Sequence, residues 1–127
     1  MDGFGFSKQL RLNTPKDYQR VFNDVQLKSG EKAFLCLAKA NDLAYPRLGL
    51  IAPKKHLKLA VDRNRVKRIV RDSFRLNQHD LVGLDIVVLV RSKYLKELSS
   101  QRQLALLEGH WSRLISKFSQ RELEFKG

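Results

Sequence analysis

Residues 61–75 have the sequence Val61-Asp62-Arg63-Asn64-Arg65-Val66-Lys67-Arg68-Ile69-Val70-Arg71-Asp72-Ser73-Phe74-Arg75. Apolar residues recur in this stretch at spacings of three and four, at Val66, Ile69, Val70 and Phe74. That spacing predicts a helix over about 61–77, with one apolar face toward a sheet and Asp62 as its candidate cap. The same stretch carries six cations and two acids, so the other faces of the predicted helix are strongly basic.

Two arginines, Arg63 and Arg65, fall in what the pattern predicts to be the first turn of this helix. Positive charge there opposes the helix macrodipole, because the N-terminal end of a helix is itself positive. The arrangement becomes favourable if an anion lies at this end, since free N–H groups, the dipole and guanidinium groups all attract phosphate. The sequence therefore predicts phosphate binding near the start of the helix.

The other polar side chains of the predicted helix form a ridge, because they are separated by four, three and four residues. Its members are Asn64, Arg68, Arg71 and Arg75, flanked by Lys67. A ridge of this kind is ~16 Å long at ~1.5 Å per residue, so it can follow several phosphates. Lys54 and Lys55 leave the end of a preceding predicted strand and extend the patch. We expect Asp62 and Asp72 to pair with arginines one turn away.

The overall charge indicates a polyanion as the partner. The chain has 25 Lys and Arg against 13 Asp and Glu, a net charge of +12, and ten cations with two acids lie between Arg47 and Arg75. The alternative, a basic surface that serves only solubility, would intersperse both signs. Recognition of DNA by this helix stays possible. However, predicted strands precede it, rather than the helix and tight turn of a helix-turn-helix motif, and this favours RNA.

The rest of the chain predicts a small sheet with helices packed on it. Thr14-Pro15 has the form of a helix start, with Asp17 in the first turn, and this helix runs to about Asn23. Residues 28–31 form a predicted turn. Strands are predicted over 33–38, 47–52 and 84–90, the last of them central.

A final helix over about 100–120 carries one apolar stripe, formed by Leu104, Leu107, Trp111, Leu114, Ile115 and Phe118. The order αββαβα indicates an α/β (α+β) two-layer sandwich. We predict a single RNA-binding domain over 1–127, with flexible ends at about 1–10 and 121–127.

Several function classes are disfavoured. No apolar stretch approaches the ~20 residues of a membrane span, so we predict a cytoplasmic protein without a membrane partner. The lone Cys36 is predicted to be a core residue. The histidines are far apart, which favours surface or capping roles over a metal site, and the acids form no metal-binding set; the three histidines are His56, His79 and His110.

The ordered motifs resemble one known family. The run Ala60-Val61-Asp62-Arg63-Asn64-Arg65-Val66-Lys67-Arg68, with Arg71 and Phe74-Arg75, is similar to the RNR signature of the bacterial ribonuclease P protein subunit. Other segments resemble that family's N-terminal helix, second strand with its lysine pair, and last strand: Arg11-Leu12 with Tyr18-Gln19-Arg20-Val21-Phe22, Arg47-Leu48-Gly49-Leu50 with Lys54-Lys55, and Asp85-Ile86-Val87-Val88. The resemblance covers about residues 8–118.

The resemblance implies an accessory subunit of the ribonucleoprotein endonuclease that removes the 5′ leader from precursor tRNA. It implies that the RNA subunit, with Mg²⁺, performs the chemistry and that the protein has neither catalytic residues nor a metal. It also implies a βαβ crossover of the unusual left-handed kind.

The resemblance further implies two binding surfaces. A 1:1 complex with the RNA subunit would use the RNR helix and the lysine pair: Arg63, Asn64, Arg65, Lys67, Arg68, Arg71, Arg75, Lys54 and Lys55. Self-association is not predicted, but the sequence leaves it open. A cleft for the single-stranded leader would be lined by Tyr18, Phe22, Leu37 and Arg11. Where members of the family have an aromatic residue at this position, this chain has Leu37. Leucine has no π-face on which a base can stack.

Three questions stay open at this point. Tyr18 and Phe22 fit base stacking and plain core packing equally well. The chain also fits a ribosomal or other structural RNA-binding protein, which would copurify with ribosomal RNA. A stand-alone nuclease is the third possibility, and it would retain activity after all RNA is removed.

Overall fold

The computed structural model describes residues 8–126 and contains a four-stranded sheet with three α-helices. The elements are α1 (Pro15–Asn23), β1 (Leu27–Gly30), β2 (Phe34–Ala40), β3 (Arg47–Ile51), α2 (Ala60–Leu76), β4 (Leu84–Val90) and α3 (Ser100–Lys126). Short 3-10 turns lie at Lys8–Leu10, Gln78–Leu81 and Lys93–Glu97. The predicted α+β class, a small sheet packed by helices, is confirmed.

The strand order is β1-β2-β4-β3, so the predicted central position of β4 is confirmed. β2 is antiparallel to both β1 and β4, whereas β3 is parallel to β4. Because α2 joins these parallel neighbours, the three elements form a βαβ unit. The left-handed sense of its crossover stays a prediction from the resemblance.

Helices cover both faces of the sheet. Alternate residues of β4 point to opposite faces, so Ile86 and Val88 join the core beneath α2 and α3, while Val87 packs with Val21 of α1. In the larger core, Trp111 of α3 meets Phe74 of α2 edge to face, with the ring centroids 6.1 Å apart. The position of α1 leaves part of its face of the sheet open.

The start of α1 is the local prediction that the structure confirms most fully. Thr14 Oγ1 accepts a hydrogen bond from the backbone N–H of Asp17, and the Asp17 carboxylate accepts one in return from the N–H of Thr14. Pro15 occupies the first helical position, where its missing N–H costs nothing. These reciprocal bonds satisfy N–H groups that the first turn would otherwise leave unpaired.

The turn predicted over 28–31 is wrong, because Leu27–Gly30 is a strand, so that the order is αβββαβα. Lys28, Ser29 and Gly30 are residues typical of turns, and tertiary contacts override this local preference. Antiparallel pairing with β2 and burial of Leu27 and Ser29 beneath α3 stabilise the strand.

Two helix ends also differ from the prediction. α2 begins at Ala60 after Leu59, which makes no side-chain cap, so Asp62 is not the cap. α3 continues to Lys126 rather than ending near residue 120, because Arg, Glu and Leu in this segment are strong helix formers. The predicted flexible ends lie partly outside the described residues, at 1–7 and 127; residues 8–10 form a 3-10 turn in which Leu10 is buried.

Candidate nucleic-acid interface

The outer face of α2 carries cations that no other residue within 8–126 neutralises. Asn64, Arg68 and Arg71 are exposed and Lys67 is half-buried. Within residues 8–126, Lys67, Arg68 and Arg71 form neither an ion pair nor a hydrogen bond through their side chains. Of the predicted ridge, Asn64, Arg68 and Arg71 are exposed on one side of the helix, whereas Arg75 is half-buried. We call the three cations Lys67, Arg68 and Arg71 the α2 ridge.

The pairing predicted for Asp62 and Asp72 is wrong, because neither forms a salt bridge within the described part of the chain. The arginines nearest to Asp62 turn instead toward backbone carbonyl groups. Arg75 is half-buried on the last turn of α2. Lys54 and Lys55 are exposed in the turn that follows β3.

Arg63 and Arg65 lie further from the first residue of α2 than predicted, because the helix begins at Ala60. Their side chains bond to other parts of the protein. Arg63 donates from Nη1 to the carbonyl oxygens of Leu57 and Lys58, at 2.7 and 2.9 Å. Arg65 donates from Nε to Ser100 Oγ at 3.1 Å and from Nη2 to the Leu98 carbonyl at 3.2 Å. These bonds fasten α2 to the loops before it and before α3, a role that the charge pattern alone does not indicate.

The open part of the sheet lies beside α1 and has an apolar floor. Leu35, Leu89 and Ile51 are in register across β2, β4 and β3, and all three are half-buried. Leu37 is half-buried in the same small cluster as Tyr18, and Phe22 on α1 keeps 38% of its surface exposed. The structure thus brings Tyr18 and Leu37 together and leaves the Phe22 ring accessible to solvent.

Tyr18 is held in place by contacts with β3. Its ring lies over Gly49, where a Cβ atom would come within 2.6 Å of Tyr18 Cε2. Its hydroxyl oxygen accepts a hydrogen bond from the backbone N–H of Leu50 at 3.1 Å. The outer edge of β3 is covered by this bond and by one from the Leu12 N–H to the Leu48 carbonyl at 2.9 Å. Such covering protects an edge strand from unwanted pairing.

Arg91 is a candidate site residue that sequence reasoning missed. It follows β4 directly, and its Nη1 atom lies 2.9 Å from the position that a Cβ atom on Gly30 would occupy. Gly30 is in register with Leu35, so the Arg91 guanidinium borders the apolar floor described above. The available signal was a cation directly after the strongest predicted strand.

A surface role for His110 is wrong, because its side chain is fully buried between α3 and the β1–β2 hairpin. Its Nδ1 atom lies 2.7 Å from Ser29 Oγ and 3.0 Å from Arg113 Nη2, and its Nε2 atom lies 2.9 Å from Glu31 Oε2. Because arginine can only donate, Nδ1 is the acceptor, and the neutral ring donates from Nε2 to the carboxylate. Burial lowers the pKa of His110.

Position 110 lies on the same side of α3 as the predicted apolar stripe, and this was the signal for burial of His110. The predicted core roles of Trp111 and Cys36 are confirmed, since both are buried, and burial raises the pKa of the Cys36 thiol. In the part of the chain that the structure describes, no three His, Cys, Asp or Glu side chains come together as a metal site would require. None of the helices within 8–126 combines the length and apolar character needed to cross a membrane.

Comparisons with known proteins agree with this geometry. The family model described as Ribonuclease P matches residues 6–115. The ribonuclease P protein component of Marinobacter nauticus is 50% identical over 120 residues, which cover 94% of this chain and 89% of the relative.

Two solved structures are also similar. The Thermotoga maritima RNase P protein, in complex with 1-(4-fluorophenyl)-2-thiourea, has a TM-score of 0.73 and 31% identity, covering 81% of this chain and 98% of that one. A Staphylococcus aureus RNase P protein mutant with defective mRNA degradation activity has a TM-score of 0.74 and 27% identity, covering 80% and 85%. The chain therefore belongs to the ribonuclease P protein family, and its role lies in tRNA processing by that ribonucleoprotein.

Proposed function

We propose that this chain is the accessory protein of ribonuclease P and binds two RNA surfaces. In this proposal the RNA subunit lies along the exposed face of α2, in a 1:1 complex, and the single-stranded leader of precursor tRNA lies on the open sheet face beside α1. The RNA subunit and its Mg²⁺ ions supply the hydrolytic chemistry, and no residue of the protein is catalytic. The assembly works in the cytoplasm.

The observation that carries the proposal is the un-neutralised α2 ridge. A folded protein gains nothing in stability from like charges placed side by side, since they repel one another. Bound phosphates remove that repulsion and release the counterions condensed on the RNA. The proposal also includes the remaining predicted contacts, namely Arg63, Asn64, Arg65, Arg75, Lys54 and Lys55.

The leader surface rests on a separate observation, the open apolar floor with cations at its borders. Unstacked bases are bound by flat or apolar side chains, while nearby cations hold the backbone. Phe22 offers the accessible aromatic ring, Leu37 and Tyr18 form the adjoining wall, and Arg11 and Arg91 supply charge at the borders. An aliphatic Leu37 contributes dispersion contacts rather than stacking.

Reconstitution tests the proposal. Precursor tRNA is incubated at low Mg²⁺ with the RNA subunit alone, the protein alone, and both together. We expect efficient leader removal only in the complete mixture, because the protein's cations offset repulsion between the two RNAs. Equal rates with and without the protein would contradict the proposal. Cleavage by the protein alone would favour the nuclease alternative, which the mRNA degradation activity of the Staphylococcus aureus protein makes worth measuring.

Phe22 allows the leader surface to be tested separately. Phe22→Ala should weaken binding of leader-bearing precursor tRNA by the holoenzyme about tenfold and leave mature tRNA binding within about twofold, since one base–aromatic stack is worth ~1–3 kcal/mol. Val25→Ala is the matched control, because Val25 is equally exposed nearby and outside the proposed surface. Equal losses of affinity for precursor and mature tRNA would mean that Phe22 has a structural role only.

A further inference from the structure

A hydrogen-bond network closes the turn between β1 and β2 and attaches it to α3. The Glu31 carboxylate accepts from the backbone N–H groups of Ala33 and Phe34, at 2.6 and 3.0 Å. It also accepts from Nε2 of the buried His110 ring at 2.9 Å. Three N–H groups therefore converge on one carboxylate, and these bonds fix both the side chain and the backbone of Glu31.

The same network holds Ser29, two residues earlier in the chain. Its hydroxyl oxygen lies 2.7 Å from His110 Nδ1 and accepts from Arg113 Nε at 2.8 Å. Ser29 and Glu31 thus point to the face of the sheet that α3 covers, so Gly30 between them faces the opposite side. The backbone at Gly30 is therefore fixed by contacts on the buried face, while its own open face borders the apolar floor.

The segment after β4 is attached to this turn by three hydrogen bonds. Arg91 donates from its backbone N–H to the Ala33 carbonyl at 2.8 Å and from Nη1 to the Glu31 carbonyl at 3.3 Å. Ser92 donates from Oγ to the Lys32 carbonyl at 2.9 Å. The exposed Arg91 side chain makes no other hydrogen bond and no ion pair within residues 8–126, so most of its five N–H donors are available.

Gly30 leaves open the space in which the Arg91 guanidinium lies. A Cβ atom at Gly30 would come within 2.9 Å of Arg91 Nη1 and 3.0 Å of Leu35 Cδ1, which is closer than such atoms normally approach. Gly30 is in register with Leu35, and Leu35 belongs to the apolar floor beside α1. A larger residue at position 30 would therefore displace the guanidinium from the border of the floor.

We propose that Gly30 and the Glu31–His110 pair position the Arg91 guanidinium to bind a phosphate of the RNA that crosses the floor. The proposal rests on the proposed function, which assigns the single-stranded leader to this surface. Gly30 supplies the space, and the network fixes the Glu31 carbonyl to which the guanidinium bonds. A donor held in one orientation loses less conformational freedom on binding, which increases its contribution to affinity. Gly30, Glu31 and His110 are thus positioning residues.

The test compares the dissociation constants of the reconstituted holoenzyme for precursor and mature tRNA. Their ratio, mature over precursor, measures the contribution of the leader to binding. Arg91→Gln should lower this ratio about fivefold, the upper range for an exposed charge pair. Gly30→Ala should lower it about threefold. Denaturant unfolding of Gly30→Ala should show no loss of stability, because only side-chain ends must yield and glycine weakens a strand.

Glu31→Gln tests the network, since an amide of nearly the same shape has one acceptor oxygen for three converging N–H groups. We expect the ratio to fall about threefold, with mature tRNA binding unchanged within about twofold. Ser73→Ala is the matched control, because it also removes a buried hydrogen bond, the one from Trp111, but lies outside the network. Circular dichroism shows that each variant is folded, and the control should keep the ratio within about 1.5-fold.

Double variants separate positioning from a purely structural role. In the Arg91→Gln background, Gly30→Ala and Glu31→Gln should each change the ratio by less than about 1.5-fold, because their effect passes through the guanidinium that is already lost. Full single-variant effects in that background would overturn the proposal. Equal losses of affinity for the two tRNAs in Gly30→Ala or Glu31→Gln would overturn it as well.

The positioning of Arg91 and the leader surface itself can fail separately. An unchanged ratio in Arg91→Gln would overturn the positioning proposal, whereas Phe22→Ala reports on the leader surface without involving Arg91. If Phe22→Ala still lowers the ratio in that case, the proposed function stands and only the role of Arg91 and its positioning residues is wrong. An unchanged ratio in both variants would contradict leader binding on the floor.

Discussion

The α2 ridge and Arg47 show two opposite uses of a basic side chain. Arg47 donates from Nε and Nη2 to the two oxygens of the buried Asp85 carboxylate, at 2.9 and 2.7 Å, and Asp17 lies 3.8 Å from its Nη1. The ridge cations have no such partners within the described residues. A cation that the protein neutralises belongs to its stability, whereas a cation left un-neutralised is available to a ligand.

Asp85 makes the contrast sharper, because burial of its carboxylate depends on several donors. Asn41 Nδ2 donates to it at 2.9 Å in addition to the two bonds from Arg47. This acid holds the ends of β3 and β4 together, where Arg47 and Asp85 are in register. Arg47 belongs to the basic segment that the sequence pattern assigns to RNA binding, yet its charge is used within the fold, and binding to Asp85 raises its pKa.

The largest expected effect is on stability, at Arg47. Arg47→Met should lower the free energy of unfolding by ~3 kcal/mol, because Asp85 would remain as a buried charge without its partner. Denaturant unfolding followed by circular dichroism measures the change. Arg68→Met is the matched control and should stay within ~0.5 kcal/mol of the parent. Similar losses in both variants would remove the distinction between the two kinds of cation.

His110 extends the comparison to a buried neutral group. His110→Ala should cost ~2 kcal/mol, since Glu31, Ser29 and Arg113 would each lose a hydrogen-bond partner. Burial lowers the pKa of His110 in the folded chain, so below its ordinary value of 6.5 the unfolded chain binds more protons. Stability should therefore fall as the pH drops from 7 toward 5.

The loss of stability between pH 7 and pH 5 should be smaller in His110→Ala than in the parent. Unfolding curves for both proteins across this pH range check the prediction. His79→Ala is the control, because His79 is exposed. A pH dependence that survives unchanged without His110 would show that the ring titrates normally in the folded protein.

Arg65 is an intermediate case, since it belongs to α2 but bonds to Leu98 and Ser100. Arg65→Gln should cost ~1 kcal/mol of folding stability, the usual worth of such hydrogen bonds. Lys67→Gln on the same helix should cost nothing measurable. Thermal unfolding of the two variants separates them, and equal melting temperatures would mean that the Arg65 contacts contribute no stability.

The sequence was sufficient where local chemistry decides the structure. The capping box at Thr14, the apolar spacing of three and four residues in α2 and the β-branched run of β4 each depend on residues close together in the chain. The exposed ridge also followed from spacing alone. These features need no knowledge of distant partners, so local sequence patterns predict them.

Three of the failures, at β1, His110 and Arg65, share one physical cause, which is a partner far along the chain. Ser29 lies 81 residues from His110, and their hydrogen bond helps to turn a segment rich in turn residues into a strand. Arg65 finds its acceptors 33 and 35 residues away. Charge spacing identifies a cation but does not reveal whether an acceptor inside the fold will bind it first.

The most direct test is the salt dependence of RNA-subunit binding by the triple variant Lys67→Gln, Arg68→Gln, Arg71→Gln. Each lost phosphate contact removes about 0.7–0.9 from the slope of log K against log salt concentration, so the magnitude of the slope should fall by about two or more. The free energy of unfolding should stay within ~0.5 kcal/mol of the parent. An unchanged slope in the folded triple variant would show that the RNA does not lie along α2 and would contradict the account.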